Sequence, residues 1–271
     1  MRKRRIYYVA ALALGLAVAV PATASASGDQ NFEAGFQPQK NANVVFGQPA
    51  SLSSKFSKKG TLRTNLFLDN IVGAPPSLDV ADVHLPDELK IVGKGLKTCN
   101  PDAIEGQPAT TAQDVCKKSL VGSGLAKLVG ITTQGTSLLF HGANKTILVH
   151  ISVGAAPPVV LTGQLQSSPL GPPYKQVLHV PVSQDAGGPV PPGLNVERTE
   201  LTKISKTFKD KKILKKARKA EGKKARKLRK KAKKNYVSAK CTDGTLSYRT
   251  VFQHAEPDPD QTVDYTQPCT S

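Results

Sequence analysis

The amino-acid sequence predicts an all-β protein, an antiparallel β-sandwich of the immunoglobulin-like or Greek-key type. From Thr61 onward, short runs of β-branched and apolar residues are separated by turn formers. Prolines and glycines fall between the runs, as in GAAPP and DAGGPVPPG, where they end strands without removing ladder hydrogen bonds. Because no helical period separates the runs, we expect antiparallel strands in two packed sheets.

Several runs have clear strand character. They are TLRTNLFLDN, SLDVADVHLP, SLLFHG, KTILVHISV, PVVLTGQLQS, YKQVLHVPVS, NYVSAK and TLSYRTVFQHA. In KTILVHISV the residues Ile147, Val149 and Ile151 share one face, as in a half-buried strand. Helical structure is expected only near TAQDVC and in a basic segment further along the chain.

The first 26 residues have the pattern of a secretory signal peptide. The chain starts with basic residues, among them Arg2 and Lys3. An apolar run then extends from Ile6 to Val20, and PATASA provides the small residues of a cleavage site. The run has about 15 apolar residues, whereas a membrane-crossing helix needs roughly 20. The sequence therefore predicts a signal helix and a protein that is secreted or associated with the cell wall. An uncleaved N-terminal anchor is the alternative.

The rest of the chain divides into three parts by composition. Residues 27–60 are rich in Ser, Gln, Asn and Lys, and we expect a partly mobile segment in which NVVFG is the only strand-like piece. Residues 61–202 together with 235–271 form the predicted sandwich. Residues 203–234 form a basic insertion between two of its strands.

The chain has four cysteines, Cys99, Cys116, Cys241 and Cys269. In an oxidising compartment two disulfides are the expected state, and three connectivities are possible. Pairing Cys99 with Cys116 and Cys241 with Cys269 is the most economical, because each pair then closes a local loop. A zinc site is disfavoured, since there is no C-x-x-C and no histidine at ligand spacing. The sequence predicts no metal and no cofactor.

Four stretches carry a resemblance to a known group of proteins. They are LPDELKIVGKGLKTC (residues 85–99), VCKKSLVGSGLAKL (115–128), KCTDGTLSYRTVF (240–252) and QPC (267–269). Together they resemble uncharacterised secreted proteins of high-GC Gram-positive bacteria, although Lys117 stands where that group usually has Pro and the basic insertion is longer. The resemblance covers residues 61–271 and implies a secreted β-sandwich with paired cysteines. It implies no activity.

No catalytic signature stands out in the sequence. Ser123 lies between Gly122 and Gly124 but does not match the G-x-S-x-G of nucleophilic hydrolases, so we interpret this stretch as a turn at the start of a strand. The five histidines show neither H-x-H nor H-E-x-x-H spacing. The sequence therefore predicts no catalytic residue.

The positive charge of the chain is concentrated in the basic insertion. The formal net charge is +18, and residues 203–234 hold 18 lysines and arginines against only Asp210 and Glu221. Alanine and leucine recur there at helical spacing and would form a narrow apolar stripe. Like charges at i and i+4 and Gly222 oppose a helix. Both a fraying helix and an extended coil are therefore compatible with the sequence.

A polyanion would replace the repulsion within this tract by attraction, and release of counterions would make binding depend steeply on salt. The candidate partners are wall phosphate polymers, acidic polysaccharide, anionic lipid headgroups and extracellular DNA. No aromatic residue is interleaved between Phe208 and Tyr236, so base stacking is not expected. The predicted contact residues act as a collective charge. They are Lys211, Lys212, Lys215, Lys216, Arg218, Lys219, Lys223, Lys224, Arg226, Lys227, Arg229, Lys230, Lys231, Lys233 and Lys234.

The sequence thus favours a secreted, non-enzymatic surface or cell-wall-associated protein that contacts anionic polymers through its basic tract. One alternative is a secreted hydrolase or carbohydrate-active protein whose site is assembled from residues distant in sequence. The other is a structural module whose basic insertion is incidental.

Overall fold

The computed structural model describes residues 27–38, 43–72, 76–190 and 195–270, and these residues are mostly β. The predicted signal helix at residues 1–26 lies outside them. The strands are β1 (Ser27–Gln37), β2 (Ala50–Ser51), β3 (Lys58–Lys59), β4 (Thr61–Val72), β5 (Leu78–Pro86), β6 (Leu89–Ile91), β7 (Leu120–Leu128), β8 (Gly135–His141), β9 (Thr146–Ser152), β10 (Val159–Ser167), β11 (Tyr174–Pro181), β12 (Val196–Ile204), β13 (Thr207–Lys209), β14 (Lys233–Asn235), β15 (Val237–Ala239), β16 (Thr245–His254) and β17 (Gln261–Thr270). The helices are α1 (Ala109–Val115), α2 (Lys211–Arg218) and α3 (Gly222–Ala232).

Twelve strands form one sheet in the order β1-β4-β12-β7-β8-β9-β10-β11-β5-β16-β17-β2. Adjacent strands in this sheet run antiparallel, except for β17 and β2, which run parallel. The prediction of a mostly β protein with antiparallel pairing is therefore confirmed. The expected two-sheet sandwich is replaced by a single sheet that curls until β1 approaches β17. Alternating apolar residues specify one buried face, and this face can be enclosed by a second sheet or by the curvature of its own sheet.

Side chains join the two ends of the curled sheet. The backbone N–H of Phe36 on β1 donates to Oε1 of Gln267 on β17 at 2.7 Å, and the Gln267 amide donates to the Phe36 carbonyl oxygen at 3.0 Å. Further along, the Gln30 N–H donates to Oε1 of Gln261 at 2.7 Å. Gln267 is completely buried. Glutamine amides thus occupy the place that backbone ladder bonds hold elsewhere in the sheet.

An irregularity in β12 contributes to the curvature. The pairing of β12 with β7 shifts register between Glu200 and Lys203, as at a β-bulge, which bends a strand and increases its twist. Opposite this shift, a side chain on Gly124 would overlap the carbonyl oxygen of Glu200. The neighbouring Ser123 was expected in a turn at the start of a strand. It lies inside β7 instead, with its side chain exposed.

A second apolar layer covers the outer face of β8, β9 and β10. Leu138, Phe140 and Leu148 pack there against Ile104 and Ala112, which belong to the segment containing α1. The sequence predicted a half-buried strand at KTILVHISV, but both faces of β9 are covered. A helix near TAQDVC was expected, and α1 is that helix.

The structure contains the disulfides Cys99–Cys116 and Cys241–Cys269, with Cα separations of 5.5 Å and 5.9 Å. They are the most economical of the three connectivities. The first ties down the segment that covers the outer face of the sheet, and the second fastens β17 to the residues that follow β15.

The N-terminal segment differs from the sequence-based expectation. Ser27–Gln37 forms β1 of the main sheet, and Phe32, Ala34 and Phe36 point into the core at a period of two. Residues 43–47, the NVVFG piece, lie outside the strands. Polar residues between the core positions of β1 concealed the alternation.

Candidate functional site: a cationic hairpin and an apolar lumen

The helices α2 and α3 form a hairpin that projects from a short β-ladder. β13 and β14 pair with Thr207 opposite Asn235 and Lys209 opposite Lys233. Asp210 follows β13, and its backbone N–H donates to the Ala232 carbonyl oxygen at 2.9 Å. The ladder therefore fixes both ends of the hairpin.

Asp210 links this ladder to the first helix. Its Oδ1 accepts hydrogen bonds from the backbone N–H groups of Lys212 and Ile213 at 3.0 Å and 3.2 Å, which caps α2. Its Oδ2 binds Nζ of Lys234 at 2.9 Å. The hydrogen bond from Lys234, together with the two amide donors, holds the pKa of Asp210 below its ordinary value. The carboxylate therefore stays charged beside the positive end of the helix dipole.

Small residues hold the two helices together. Ala217, Ala225 and Ala232 are buried, whereas Leu214 and Leu228 are half-buried. Most of the tract is helical, but the helix is interrupted between α2 and α3, where Gly222 has a φ of +52°. Two short helices that bury alanine against one another offset part of the charge repulsion that a single isolated helix would suffer.

The hairpin brings the predicted polyanion-binding residues together on one protrusion. Fourteen of the fifteen are exposed, and the exception is the half-buried Lys234, which is paired with Asp210. Within residues 211–232 Glu221 is the only acidic residue. No other ion pair within the described ranges involves these fourteen side chains. None of the helices in these ranges is long and apolar enough to cross a membrane.

The curled sheet encloses an apolar cavity of about 150 Å³, which we call the lumen. Nine strands contribute to its wall: β1, β4, β5, β6 and β8 to β12. Inward-facing residues such as Leu66, Val83, Val149 and Leu178 remain half-buried, although they belong to the apolar core. Protein interiors are normally close-packed, so accessible apolar side chains on an inner face mark unfilled space.

A second, wider space of about 470 Å³ lies at one end of the lumen, and we call it the mouth. Ile91, Ile147 and Tyr236 line both spaces, so the mouth and the lumen adjoin at these side chains. Lys94 and Lys145 line the mouth and are exposed. No acidic side chain is among the described residues that line it.

Tyr236 and His141 stand where the mouth meets the lumen. Their rings make an edge-to-face contact with centroids 5.8 Å apart. Tyr236 is 1% exposed, and among the described residues its hydroxyl has no hydrogen-bond partner. Burial raises the pKa of Tyr236 and lowers the pKa of His141. The phenol therefore stays protonated and the imidazole is neutral near pH 7.

The mouth lies beside the base of the hairpin. The backbone N–H of Val92 donates to the Tyr236 carbonyl oxygen at 2.8 Å, and Tyr236 follows β14 directly. Gly95 packs so closely on Asp210 that a Cβ at Gly95 would lie 3.3 Å from the carboxyl carbon. The cationic helices and the opening of the lumen therefore occupy the same side of the molecule.

One serine–histidine pair bears on the hydrolase alternative. Oγ of Ser168 lies 2.9 Å from Nδ1 of His84. The charge of Asp82 acts to raise the pKa of His84, but the Asp82 carboxylate forms its hydrogen bond with Nδ1 of His179, at 2.7 Å. The Ser168 Oγ also accepts from the Leu170 N–H, as in a turn. Among the described residues no carboxylate forms a hydrogen bond with His84, so the pair lacks the orienting carboxylate of a Ser-His-Asp triad.

No family model, curated protein or solved structure matches this chain. In the part of the chain that the structure describes, no three His, Cys, Asp or Glu side chains lie together in a way that would hold a metal ion. The hairpin, the lumen and the mouth are the features that bear on function. Sequence reasoning identified the basic tract that forms the hairpin but left its conformation open, and it missed the lumen and the mouth, since their residues are far apart along the chain.

Proposed function

We propose that this protein is a secreted, non-enzymatic surface or cell-wall-associated protein that contacts anionic polymers through the hairpin of α2 and α3. The exposure of fourteen basic side chains on an ordered protrusion carries this proposal. The preferred partner is a polymer of phosphodiesters, because evenly spaced phosphates can meet a regular array of cations.

The order of the hairpin favours binding. α3 has 11 residues and is about 16 Å long at about 1.5 Å per residue. A disordered basic tract would lose conformational entropy when it binds, whereas α2 and α3 are already packed and anchored by Asp210. The basic side chains are distributed around both helices, so a polymer contacts one face of the hairpin at a time.

Recognition of this kind is electrostatic and insensitive to sequence. Lysine, a compact point charge, predominates over arginine in the hairpin, and aromatic residues are absent from residues 211–232. Binding through about six to ten phosphates weakens by roughly 10³ to 10⁵ between about 50 mM and 200 mM salt.

The two disulfides support an extracytoplasmic location. Disulfides persist in oxidising compartments and are rare in the cytosol. The N-terminal sequence pattern independently favours export.

The test compares the secreted protein with a variant in which residues 210–232 are replaced by Asn-Gly. Lys209 and Lys233 are directly paired, so a two-residue turn can close β13 and β14 as a tight hairpin. Binding to poly(glycerol phosphate) and to double-stranded DNA is measured over a salt series. We expect the native protein to bind both with a steep salt dependence and the variant to bind neither.

A variant in which the cations of α3 are neutralised separates charge from shape. Glutamine is about as good a helix former as lysine, so α3 should stay helical when its cations are changed. The changes are K223Q, K224Q, R226Q, K227Q, R229Q, K230Q and K231Q. Unchanged polymer binding in this variant and in the Asn-Gly variant would overturn the proposal.

A further inference from the structure

The lumen has the character of a ligand site. Its wall is apolar apart from the hydroxyls of Thr64, Thr199 and Tyr236. A dry cavity of about 150 Å³ is large enough for a benzene-sized apolar group. The adjoining mouth, at about 470 Å³, falls within the usual range of about 300–1,000 Å³ for small-molecule pockets.

Among the described residues that line both spaces, Tyr236 is the only one with a polar side chain. Its hydroxyl is protonated, unpaired and sealed from solvent. Leaving a buried donor without a partner costs about 1–3 kcal/mol, and such a group calls for a specific reason. Because the hydroxyl has no solvent-accessible surface in this conformation, a ligand oxygen at the junction of mouth and lumen would reach it after a small movement of the ring and would then supply the missing hydrogen bond.

The charge of the mouth specifies the sign of that ligand group. Lys94 and Lys145 approach it from different loops, and neither takes part in an ion pair within the described residues. His141, whose pKa is lowered by burial, adds a neutral polar ring to the wall. An anion is therefore the complementary head group.

Lys145 is held in place by an unusual backbone. Asn144 and Lys145 have φ values of +49° and +64° in the turn between β8 and β9. Glycine is the favoured residue at the second position of such a turn. The Leu165 N–H donates to the Lys145 carbonyl oxygen at 3.2 Å, which fixes the turn against β10. A lysine in this conformation is a strained choice, as is common at binding sites.

We propose that the lumen and mouth bind an amphipathic anion, with the end of its aliphatic chain in the lumen, the rest of the chain in the mouth, and its carboxylate or phosphate head between Lys94, Lys145 and the Tyr236 hydroxyl. This inference is independent of the proposed function. The position of the hairpin beside the mouth would bring the opening towards any anionic surface that the hairpin contacts.

The experiment titrates the secreted protein by calorimetry with dodecanoate, dodecyl phosphate, dodecanol and dodecyltrimethylammonium at about 150 mM NaCl. We expect both anions to bind about tenfold or more tightly than the alcohol, and the cation not to bind. The tighter of the two anions identifies the head group. Equal affinity for the anions and the alcohol would overturn the assigned role of the lysines.

Four variants locate the site. Val149→Phe fills the lumen from β9 and should abolish binding of every amphiphile, whereas Leu125→Phe adds similar bulk at an exposed position and should change nothing. Lys94→Gln combined with Lys145→Gly should weaken anion binding about tenfold or more while dodecanol affinity is kept. Thr64→Phe provides a second lumen-filling variant if Val149→Phe does not fold.

Two results would refute the site. One is that the native protein binds none of the four amphiphiles. The other is that binding survives both lumen-filling variants, and loss of binding in the Asn-Gly hairpin variant would then place the amphiphile on the helices. Loss of polymer binding with retained amphiphile binding would refute neither site and would show that the two are separate.

Discussion

The curled sheet and the helical hairpin are stabilised in opposite ways. The sheet joins residues that are far apart in sequence, encloses apolar side chains and contains few charged groups in its interior. The hairpin is built from adjacent residues, buries mainly alanine and carries thirteen exposed cations. Within the described residues, β13, β14 and Asp210 connect the hairpin to the rest of the fold. We therefore expect each region to respond to changes that leave the other intact.

The largest expected effect is on the sheet. Gln267→Leu would leave the buried N–H and C=O of Phe36 without partners, at about 1–3 kcal/mol each. The free energy of unfolding should fall by about 3 kcal/mol, which lowers Tm by roughly 6–12 °C in a protein of this size. Calorimetry measures the change, with Gln166→Leu at an exposed position of β10 as the control. A Tm equal to that of the control would mean that Gln267 does not close the sheet.

A smaller effect is expected in the hairpin. Asp210→Ala removes the cap of α2 and the partner of Lys234, so the helical circular-dichroism signal should fall and amides of residues 211–232 should exchange faster. The folded pKa of Asp210 lies below its ordinary value of 3.8, so its stabilising contribution is present above that pH. The contribution is lost as the pH falls through the folded pKa. Helical signal that is equal in both proteins at pH 7 would contradict this role.

Glu88 is a buried acidic residue whose substitution tests how much a negative charge destabilises the sheet region. Its side chain is buried and accepts a hydrogen bond from the Thr242 hydroxyl, and burial is the main cause of its raised pKa. The folded protein holds the carboxyl proton of Glu88 more tightly than the unfolded chain does. The free energy of unfolding therefore falls as the pH rises from the ordinary pKa of 4.5 through the folded pKa. Glu88→Gln should therefore raise Tm at pH 7 and leave it unchanged below pH 4.5. A lower Tm at pH 7 would contradict this.

The smallest expected effect is a response to salt. Raising NaCl from about 20 mM to about 500 mM screens repulsion between the exposed cations, so the helical signal of α2 and α3 should increase. The Tm of the sheet should change little. An Asn-Gly hairpin variant that shows the same gain in helical signal would assign the response to α1 instead.

The charge of the hairpin could be predicted because it is local. Eighteen basic residues between positions 203 and 234 are visible without any knowledge of the fold. The helical state was not decided by the sequence, because a thin alanine stripe and dense repulsion nearly balance. Packing between α2 and α3 decides it. Within residues 203–234 the helices span Lys211 to Ala232, whereas Lys203 belongs to β12 and Lys233 to β14.

The lumen could not be predicted from local patterns. The alternation of Ile147, Val149 and Ile151 identifies an apolar face but does not specify what covers it. Whether that face is filled depends on curvature, which arises from the register shift in β12 and from the contact between β1 and β17. Lys94 and Lys145 are ordinary surface lysines until the fold places them on one rim.

The side-chain closure at Gln267 also determines where the sheet opens most easily. Separating two strands that share a ladder breaks a row of backbone bonds, whereas β1 leaves β17 after a few glutamine amides rotate away. Local unfolding follows the route of lowest free energy. We therefore expect the seam between β1 and β17 to open before the backbone ladders do, and under the proposed amphiphile binding this seam would be a second route into the lumen.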